Sequence, residues 1–341
     1  MATPVRAALL REIPASELHV ADVPDITPVR SDDLLLRVEA CGICGTDLHL
    51  MDGQSFRPDL PFILGHEPVG TVVAVGSSEL ERWLGTRVTA TIFVGCGRCS
   101  LCRAEAERLC PNVQEITGLL HAAGGYAEYL VIRASQAVEV PSALSSEAAA
   151  SLTDAGPTAV NAVRAALTRQ PATVVIVGAG PVGFLCAELL HLAGRDFVVV
   201  EPNALRREAL SQFGYRVAPQ LDEVTFSPDT MIDCAAAPGV VPWALQHLSA
   251  RGVFVAVGFQ AVPNFELIPV VRKEIALLGI RSGSRDDLIR ILDLAATWRI
   301  RLPEVATWQL DGINEALTEL RGGRLRGKAV VQMRRRERSF D

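Results

Sequence analysis

Polar and apolar residues alternate early in the chain and give way to unbroken apolar runs further on. Leu34-Leu35-Leu36-Arg37-Val38-Glu39-Ala40 ends in alternation and predicts a strand that runs directly into Cys41. Val69-Gly70-Thr71-Val72-Val73-Ala74-Val75-Gly76 and Arg87-Val88-Thr89-Ala90-Thr91-Ile92 predict two more strands, rich in β-branched residues. Pro14, Pro24 and Pro28 break up the β-like segment before them. Gly124-Gly125-Tyr126 reads as a turn, with a strand after it through Ile132. Short strands punctuated by glycine suggest a compact β-rich domain, a partly open barrel. Ser145-Ser146-Glu147 then opens an Ala-rich helix, its hydroxyls placed as an N-cap.

The pattern changes at Ala172 to Val177, a continuous apolar run suited to a central parallel strand. Val182, Leu185, Leu189 and Leu192 follow at helical spacing, Gly194 ends that helix, and Phe197-Val198-Val199-Val200 forms the next strand. Thr230 to Ala235, Val253 to Gly258 and Ile275 to Ile280 predict further strands. Between Gly214 and Thr230 the chain is short and holds two prolines, so no full helical crossover is expected there. Asp286-Asp287 caps a helix with Leu288, Ile291, Leu292 and Ala295 on one face, and Ile313, Ala316, Leu317 and Leu320 mark another. Lys328 to Met333 reads as a closing strand that returns to the first domain. The fold class is therefore α/β, a doubly wound parallel sheet beside a β-rich domain.

Two domains suit a chain of 341 residues. A net charge of −6 and the lack of a basic face argue against nucleic acid, and the run Arg334 to Arg338 reads as a solvated tail. No signal-like N-terminal segment and no bilayer-length apolar run stand out, so no membrane role is expected. Six of the eight cysteines crowd between Cys41 and Cys110, which in a cytoplasmic chain points to metal rather than disulfides.

The chemistry concentrates in Cys41-Gly42-Ile43-Cys44-Gly45-Thr46-Asp47-Leu48-His49 and in Gly65-His66-Glu67-Pro68. A thiol and an imidazole, one from each stretch, can hold a catalytic zinc; alternatively the thiols are small buried hydrophobes. Cys96, Cys99, Cys102 and Cys110 have the spacing C-x2-C-x2-C-x7-C, which suits a closed tetrahedral zinc shell or an iron–sulfur cluster. Asp154 stands among apolar residues, so it needs either a cation or a helix terminus as partner. Gly178-Ala179-Gly180-Pro181-Val182-Gly183 is G-x-G-x-x-G between a strand and a helix, with Glu201 at the end of the following strand. That context marks a dinucleotide fingerprint, with the pyrophosphate at the helix N-terminus. A carboxylate at position 201 favours NAD over NADP, while Arg206 and Arg207 could attract a 2′-phosphate or lie on an exposed helix face.

These motifs, in this order, resemble the zinc-dependent alcohol dehydrogenases of the medium-chain dehydrogenase/reductase superfamily. The match runs from about residue 30 to 333 through Cys44-Gly-Thr-Asp-Leu-His49, Gly65-His-Glu-Pro-Val-Gly70, the four-cysteine lobe, Gly124-Gly-Tyr-Ala-Glu-Tyr129 and the glycine fingerprint. The resemblance implies a GroES-like catalytic domain from 1–155 with 286–341, and an NAD-binding Rossmann domain at 156–285. It places Cys44, His66 and Asp154 on the catalytic zinc ligands and Glu67 on an exchangeable carboxylate. Cys96, Cys99, Cys102 and Cys110 fall on the structural zinc, giving two Zn2+ per chain. Thr46 falls on the proton-relay hydroxyl, His49 on the outer proton acceptor, and Asp47 on the carboxylate that orients His66. Cys41 matches no ligand position and is expected to pack. Gly178, Gly180, Pro181, Val182, Gly183, Glu201 and Arg206 fall on the cofactor site.

The implied reaction is hydride transfer between NAD and an alcohol, either a secondary alcohol or a polyol- or sugar-like one. Relatives form homotetramers or homodimers. The chain departs from the family at Gly45, where some relatives carry a basic residue that Lys328 could replace, and at the abbreviated stretch 214–230. Leu48 and Phe56, at substrate-lining positions, match no subgroup. Zinc-independent quinone or enoyl reductases of the superfamily lack the Cys-Gly-Thr-Asp and Gly-His-Glu sets. A non-catalytic NAD-binding sensor would carry a broken relay or ligand set, and here both sets are whole.

Overall fold

The computed structural model describes residues 4–24, 26–259, 262 and 265–334. The chain divides into two compact units, one built from 1–154, 284–296 and 305–341, the other from 155–283 and 297–304. The part of the basic run beyond Arg334 lies outside the described residues.

The first unit is organised on the long strand Asp33–Ile43. Its antiparallel partners are Glu67–Val75, Tyr129–Arg133 and Lys328–Gln332. Arg87–Ala90 and Ala137–Glu139 extend the sheet on one side, and Val305–Gln309 pairs parallel with Lys328–Gln332 on the other. Leu34, Leu35 and Leu36 are all buried, so the strand is covered on both faces at its start; the alternation appears only from Arg37 to Ala40. Two register shifts, at Leu35/Leu36 and Val38/Ala40, bend this pair of strands as a barrel requires. The core gathers Leu34, Leu36, Val38, Leu130, Ile313 and Leu317, each contributing about 1.5–3 kcal/mol by burial. Strands of two residues, Phe62–Ile63, Phe93–Val94 and His121–Ala122, join two smaller sheets.

The helix Arg285–Ala296 buries Leu288, Ile291, Leu292 and Ala295. Its cap is Ser284 rather than Asp286. The Ser284 hydroxyl accepts from the Asp287 amide at 3.2 Å, and the Asp287 carboxylate accepts from the Ser284 amide at 2.9 Å. This reciprocal pair satisfies two otherwise orphaned donors.

The second unit is a parallel sheet of six strands. In chain order they are Thr173–Val177, Asp196–Val200, Val217–Ala218, Thr230–Asp233, Val253–Ala256 and Ala276–Gly279, and in space they run 3-2-1-4-5-6. That order reverses direction between the first and fourth strands, the position where such sheets take a dinucleotide. Only a short 3-10 turn, Leu221–Glu223, bridges Val217–Ala218 and Thr230–Asp233. The helix Pro181–Leu192 is buried on most of its circumference, through Phe184, Leu185, Leu189 and Leu190; Leu192, read from spacing as part of the apolar face, is exposed. Buried Glu188 on this helix accepts from the Tyr215 hydroxyl at 2.5 Å and the Arg301 amide at 2.7 Å, which makes its burial tolerable. No helix among the described residues is long and apolar enough to cross a membrane.

Candidate metal centre

Three stretches distant in sequence meet at one end of the large sheet. The strand Asp33–Ile43 runs out at Cys44, which starts the helix Gly45–Met51. The strand Glu67–Val75 begins beside it, Gly42 standing opposite Glu67, and so delivers His66 and Glu67 to the same place. Asp154 arrives from the turn after the helix Ser146–Ala150, immediately ahead of Ala155–Ala166. Ligand atoms of Cys44, His66, Glu67 and Asp154 all lie within 4.8 Å of one another. Cys44 Sγ is 3.9 Å and His66 Nε2 is 3.8 Å from Asp154 Oδ2. Around a tetrahedral zinc with bonds of about 2.0–2.3 Å, ligand atoms sit about 3.3–3.8 Å apart.

The electrostatics fit the same ion. His66 Nε2 and Glu67 Oε2 are buried without a hydrogen-bond partner among the described residues. Such orphaned atoms are costly unless something else meets them. Burial works against a charge on His66, but Asp47, Asp154 and Cys44 outweigh it and lift the imidazole well above its ordinary value. The pocket thus attracts positive charge. Lys328 supplies one such charge, with Nζ 2.5 Å from Glu67 Oε1 and only 3% of its side chain exposed. With a zinc ion bound, Cys44 as thiolate, Glu67 and Asp154 would face it with three negative charges against the one ammonium, and the ion would offset the remaining two. His66 and Glu67 close the cluster from behind, while Cys44 and Asp154 are only half-buried. One side is therefore open, as a catalytic metal needs.

The surrounding residues hold this arrangement. Asp47 is fully buried, with Oδ1 3.3 Å from His66 Nδ1. Its Oδ2 accepts from the Cys44 amide and the Tyr126 hydroxyl, both at 2.8 Å. Gly42 is required by a close approach: a Cβ there would come within 1.7 Å of Glu67 Oε2. Thr46 Oγ1 lies 3.7 Å from Cys44 Sγ, and His49, which is exposed, stands one turn on along the same helix face. Cys41 is wholly buried beside these groups, its thiol pushed far above the ordinary range by burial and by Glu67. It is a packing residue.

The second cluster is made of Cys96, Cys99, Cys102 and Cys110. Sγ separations of 3.5 Å (Cys99–Cys102), 3.8 Å (Cys99–Cys110) and 4.0 Å (Cys96–Cys102) bracket the edge of about 3.8 Å of a zinc–thiolate tetrahedron. The amides of Arg98 and Cys99 pull the Cys96 thiol down to about 6. Desolvation pushes buried Cys102 up to about 12. A dication held at the centre by these four residues would let all of them shed their protons together.

In the second unit, Gly180 caps the helix that begins at Pro181. Gly183 is demanded by packing, since a Cβ there would meet Gly178 O at 1.9 Å. Glu201 is buried and its two carboxylate oxygens are fixed by backbone: Oε2 accepts from the Ala179 amide at 2.7 Å and Oε1 from the Asn203 amide at 2.8 Å. Arg206 Nη1 is 4.0 Å from Glu201 Oε2. Arg207 donates to the carbonyls of Glu201 and Pro202 at 2.8 and 2.6 Å. Neither arginine is on a fully exposed face.

Known proteins share this combination. Residues 30–142 match the alcohol dehydrogenase GroES-like domain family, and residues 181–297 match the zinc-binding dehydrogenase family. An alcohol dehydrogenase of Geobacillus stearothermophilus is 30% identical over 97% of this chain and 99% of its own length. The chain belongs to the zinc-type alcohol dehydrogenase family of the medium-chain dehydrogenase/reductase superfamily. A sorbitol dehydrogenase of Bacillus subtilis is 32% identical, over 81% of this chain and 82% of its own. The acetophenone reductase of Geotrichum candidum, solved in complex with NAD, superposes with a TM-score of 0.88 at 26% identity, covering 97% of this chain and 98% of that one.

Within this alcohol dehydrogenase frame, two residues stand out that local reading of the sequence did not place. Lys328 reads from sequence as a surrogate charge for the cofactor pyrophosphate; it is buried against Glu67 instead. Tyr126 reads as part of a turn, yet its hydroxyl reaches Asp47. The partners are 261 and 79 residues away, so no local spacing encodes either contact. Leu48 and Phe56 pack partly buried against the core of the first unit, and Gly45 has open space where a side chain would project.

Proposed function

We propose that the chain is an NAD-dependent zinc alcohol dehydrogenase acting on secondary alcohols or polyols. The observation that carries this reading is the convergence of the Cys44, His66 and Asp154 ligand atoms, with Glu67 behind them, on a partly open site. Zinc held there supplies the Lewis acidity that makes an alcohol proton easy to remove. The chain's own residues do the rest. Asp47 orients His66, and Lys328 offsets the charge of Glu67. Thr46 Oγ1 would accept the alcohol proton while giving up its own, and exposed His49, one turn on along the helix, would be the outer proton acceptor. The first unit thus acts as the catalytic domain.

The second unit is assigned to NAD. The Gly178 to Gly183 turn and the helix N-terminus at Pro181 receive the pyrophosphate, Val182 included, and Glu201 receives the adenosine ribose. The fixed carboxylate of Glu201 supports NAD over NADP, because it would face a 2′-phosphate with like charge. Arg206, paired towards Glu201, is held from serving that phosphate. The Cys96, Cys99, Cys102 and Cys110 lobe is assigned a second, structural zinc, and the abundance of metal-poised thiols supports a reducing, cytoplasmic setting. A homodimer or homotetramer is supported by the strand Ala276–Gly279 at the edge of its sheet with Leu277 exposed, and by exposed Leu267, Ile268 and Val271 in the same unit.

The test is a panel of primary, secondary and polyhydric alcohols against NAD and NADP, followed by absorbance of the reduced cofactor, with zinc measured on the same sample. Reduction of NAD by a secondary alcohol or polyol at least about 10-fold more efficiently than by a primary one is the expected result. Preference for NADP, or turnover unchanged after zinc removal, would contradict it.

A further inference from the structure

The carboxylate of Asp47 is divided between two tasks. Oδ2 takes two donors, the Cys44 amide and the Tyr126 hydroxyl, each at 2.8 Å. Oδ1 is left facing His66 Nδ1 at 3.3 Å, an ion-pair separation with no other donor competing among the described residues. Tyr126 is held as firmly as the group it contacts. It is wholly buried, its amide donates to Leu64 O at 3.0 Å, and its carbonyl accepts from the Ala8 amide at 2.8 Å. The hydroxyl also lies 3.3 Å from Gly42 O. A phenol has a single proton to give, and the shorter, charge-assisted contact to Asp47 claims it. Burial, reinforced by Asp47, keeps the phenol well above its ordinary value, so it remains a donor.

We propose that Tyr126 is a positioning residue of the metal centre: by occupying Oδ2 of Asp47 it reserves Oδ1 for His66 Nδ1 and so holds His66 with Nε2 turned towards Asp154 and the metal position. Its hydroxyl touches neither the ligand atoms nor any site for a reacting group, so its effect passes through Asp47. Groups in direct contact with a metal ligand change affinity by about 10- to 100-fold, and Tyr126, one contact further out, takes the lower end of that range. A phenylalanine would fill the same volume and donate nothing, which isolates the hydroxyl from the packing of the ring. The inference rests on the zinc reading of the Cys44, His66 and Asp154 cluster.

The test uses the zinc-loaded full chain and a coloured chelator in excess, comparing wild type, Tyr126→Phe, Asp47→Asn and the double variant. The four-cysteine lobe is the internal reference. Release from the Cys44 site should be about 10-fold faster in Tyr126→Phe, with the lobe's release unchanged. Adding Tyr126→Phe to Asp47→Asn should bring no further acceleration. Unchanged release in the single variant, or equal acceleration in both backgrounds, overturns the role of Tyr126 while leaving the zinc site standing. Wild-type protein that takes up zinc only in the lobe removes the site and the inference together.

Discussion

Replacing Lys328 with methionine removes the cation facing Glu67 and keeps the length and most of the volume of the side chain. The pair is buried on both sides, 3% and 0% exposed, with Nζ and Oε1 2.5 Å apart. Glu67 Oε2 has no other partner among the described residues, so the variant strands a carboxylate in the core. Breaking a buried pair from one side costs about 3–5 kcal/mol. For a domain of about 150–250 residues, where each kcal/mol shifts the midpoint by about 2–4 °C, that lowers melting by about 6–20 °C. Scanning calorimetry of the metal-free protein, where no ion can meet Glu67 Oε2, reads this directly. Glu67→Gln alone should lose stability too, by leaving the ammonium unpaired. The double variant Glu67→Gln/Lys328→Met should recover more than half of the larger single loss, because neither charge remains to be solvated. Single variants within about 0.5 kcal/mol of wild type, or losses that simply add, would refute the claim that this pair neutralises the back of the metal centre.

Other perturbations probe other parts of the account. Gly42→Ala drives a Cβ to 1.7 Å from Glu67 Oε2, and overpacking of about 1–3 kcal/mol should appear as a lower melting temperature together with reduced zinc retention at the Cys44 site. Cys102→Ser should lower zinc content by one ion per chain and sharply reduce thermal stability, read by metal analysis and calorimetry, because three thiolates leave the tetrahedral shell incomplete. Glu201→Gln should raise the ratio of kcat/KM for NADP over NAD by about 10-fold or more, since about 1.4 kcal/mol of relieved repulsion suffices for that; an unchanged ratio would place cofactor choice elsewhere. Ser284→Ala removes the cap of the helix Arg285–Ala296 and should cost about 1 kcal/mol, measurable by calorimetry with zinc content unaffected.

The contrast between what the sequence conveys and what it conceals follows the range of the interactions. The glycine turn, the four-cysteine spacing and the cap at Ser145 are local, and their chemistry is written in a few adjacent residues. The inner parallel strands of the second unit are nearly uniform in burial, so an unbroken apolar run identifies them. Strands of two residues, such as Phe62–Ile63 and His121–Ala122, are too short to show any period and emerge only from their partners. Leu192 obeys helical spacing yet is exposed, because the last turn of its helix passes the edge of the core. The sequence reading puts the helix cap at Asp286-Asp287, whereas the reciprocal bonds put it at Ser284, with Asp287 as its partner in the first turn. Lys328 and Tyr126 illustrate the hardest class. Each acts on a residue brought near by the sheet register, Val330 beside Gly42 in one case and the turn beyond Leu64 in the other.

The most direct trial of the account is zinc stoichiometry and NAD reduction measured together on wild type and Cys44→Ser. Wild type should hold two zinc ions per chain, and Cys44→Ser one, with alcohol oxidation lower by about 1000-fold or more, a loss of about 4 kcal/mol in transition-state stabilisation. Two ions retained by the variant, or turnover undiminished with one, would contradict the assignment of Cys44, His66 and Asp154 as the catalytic metal site.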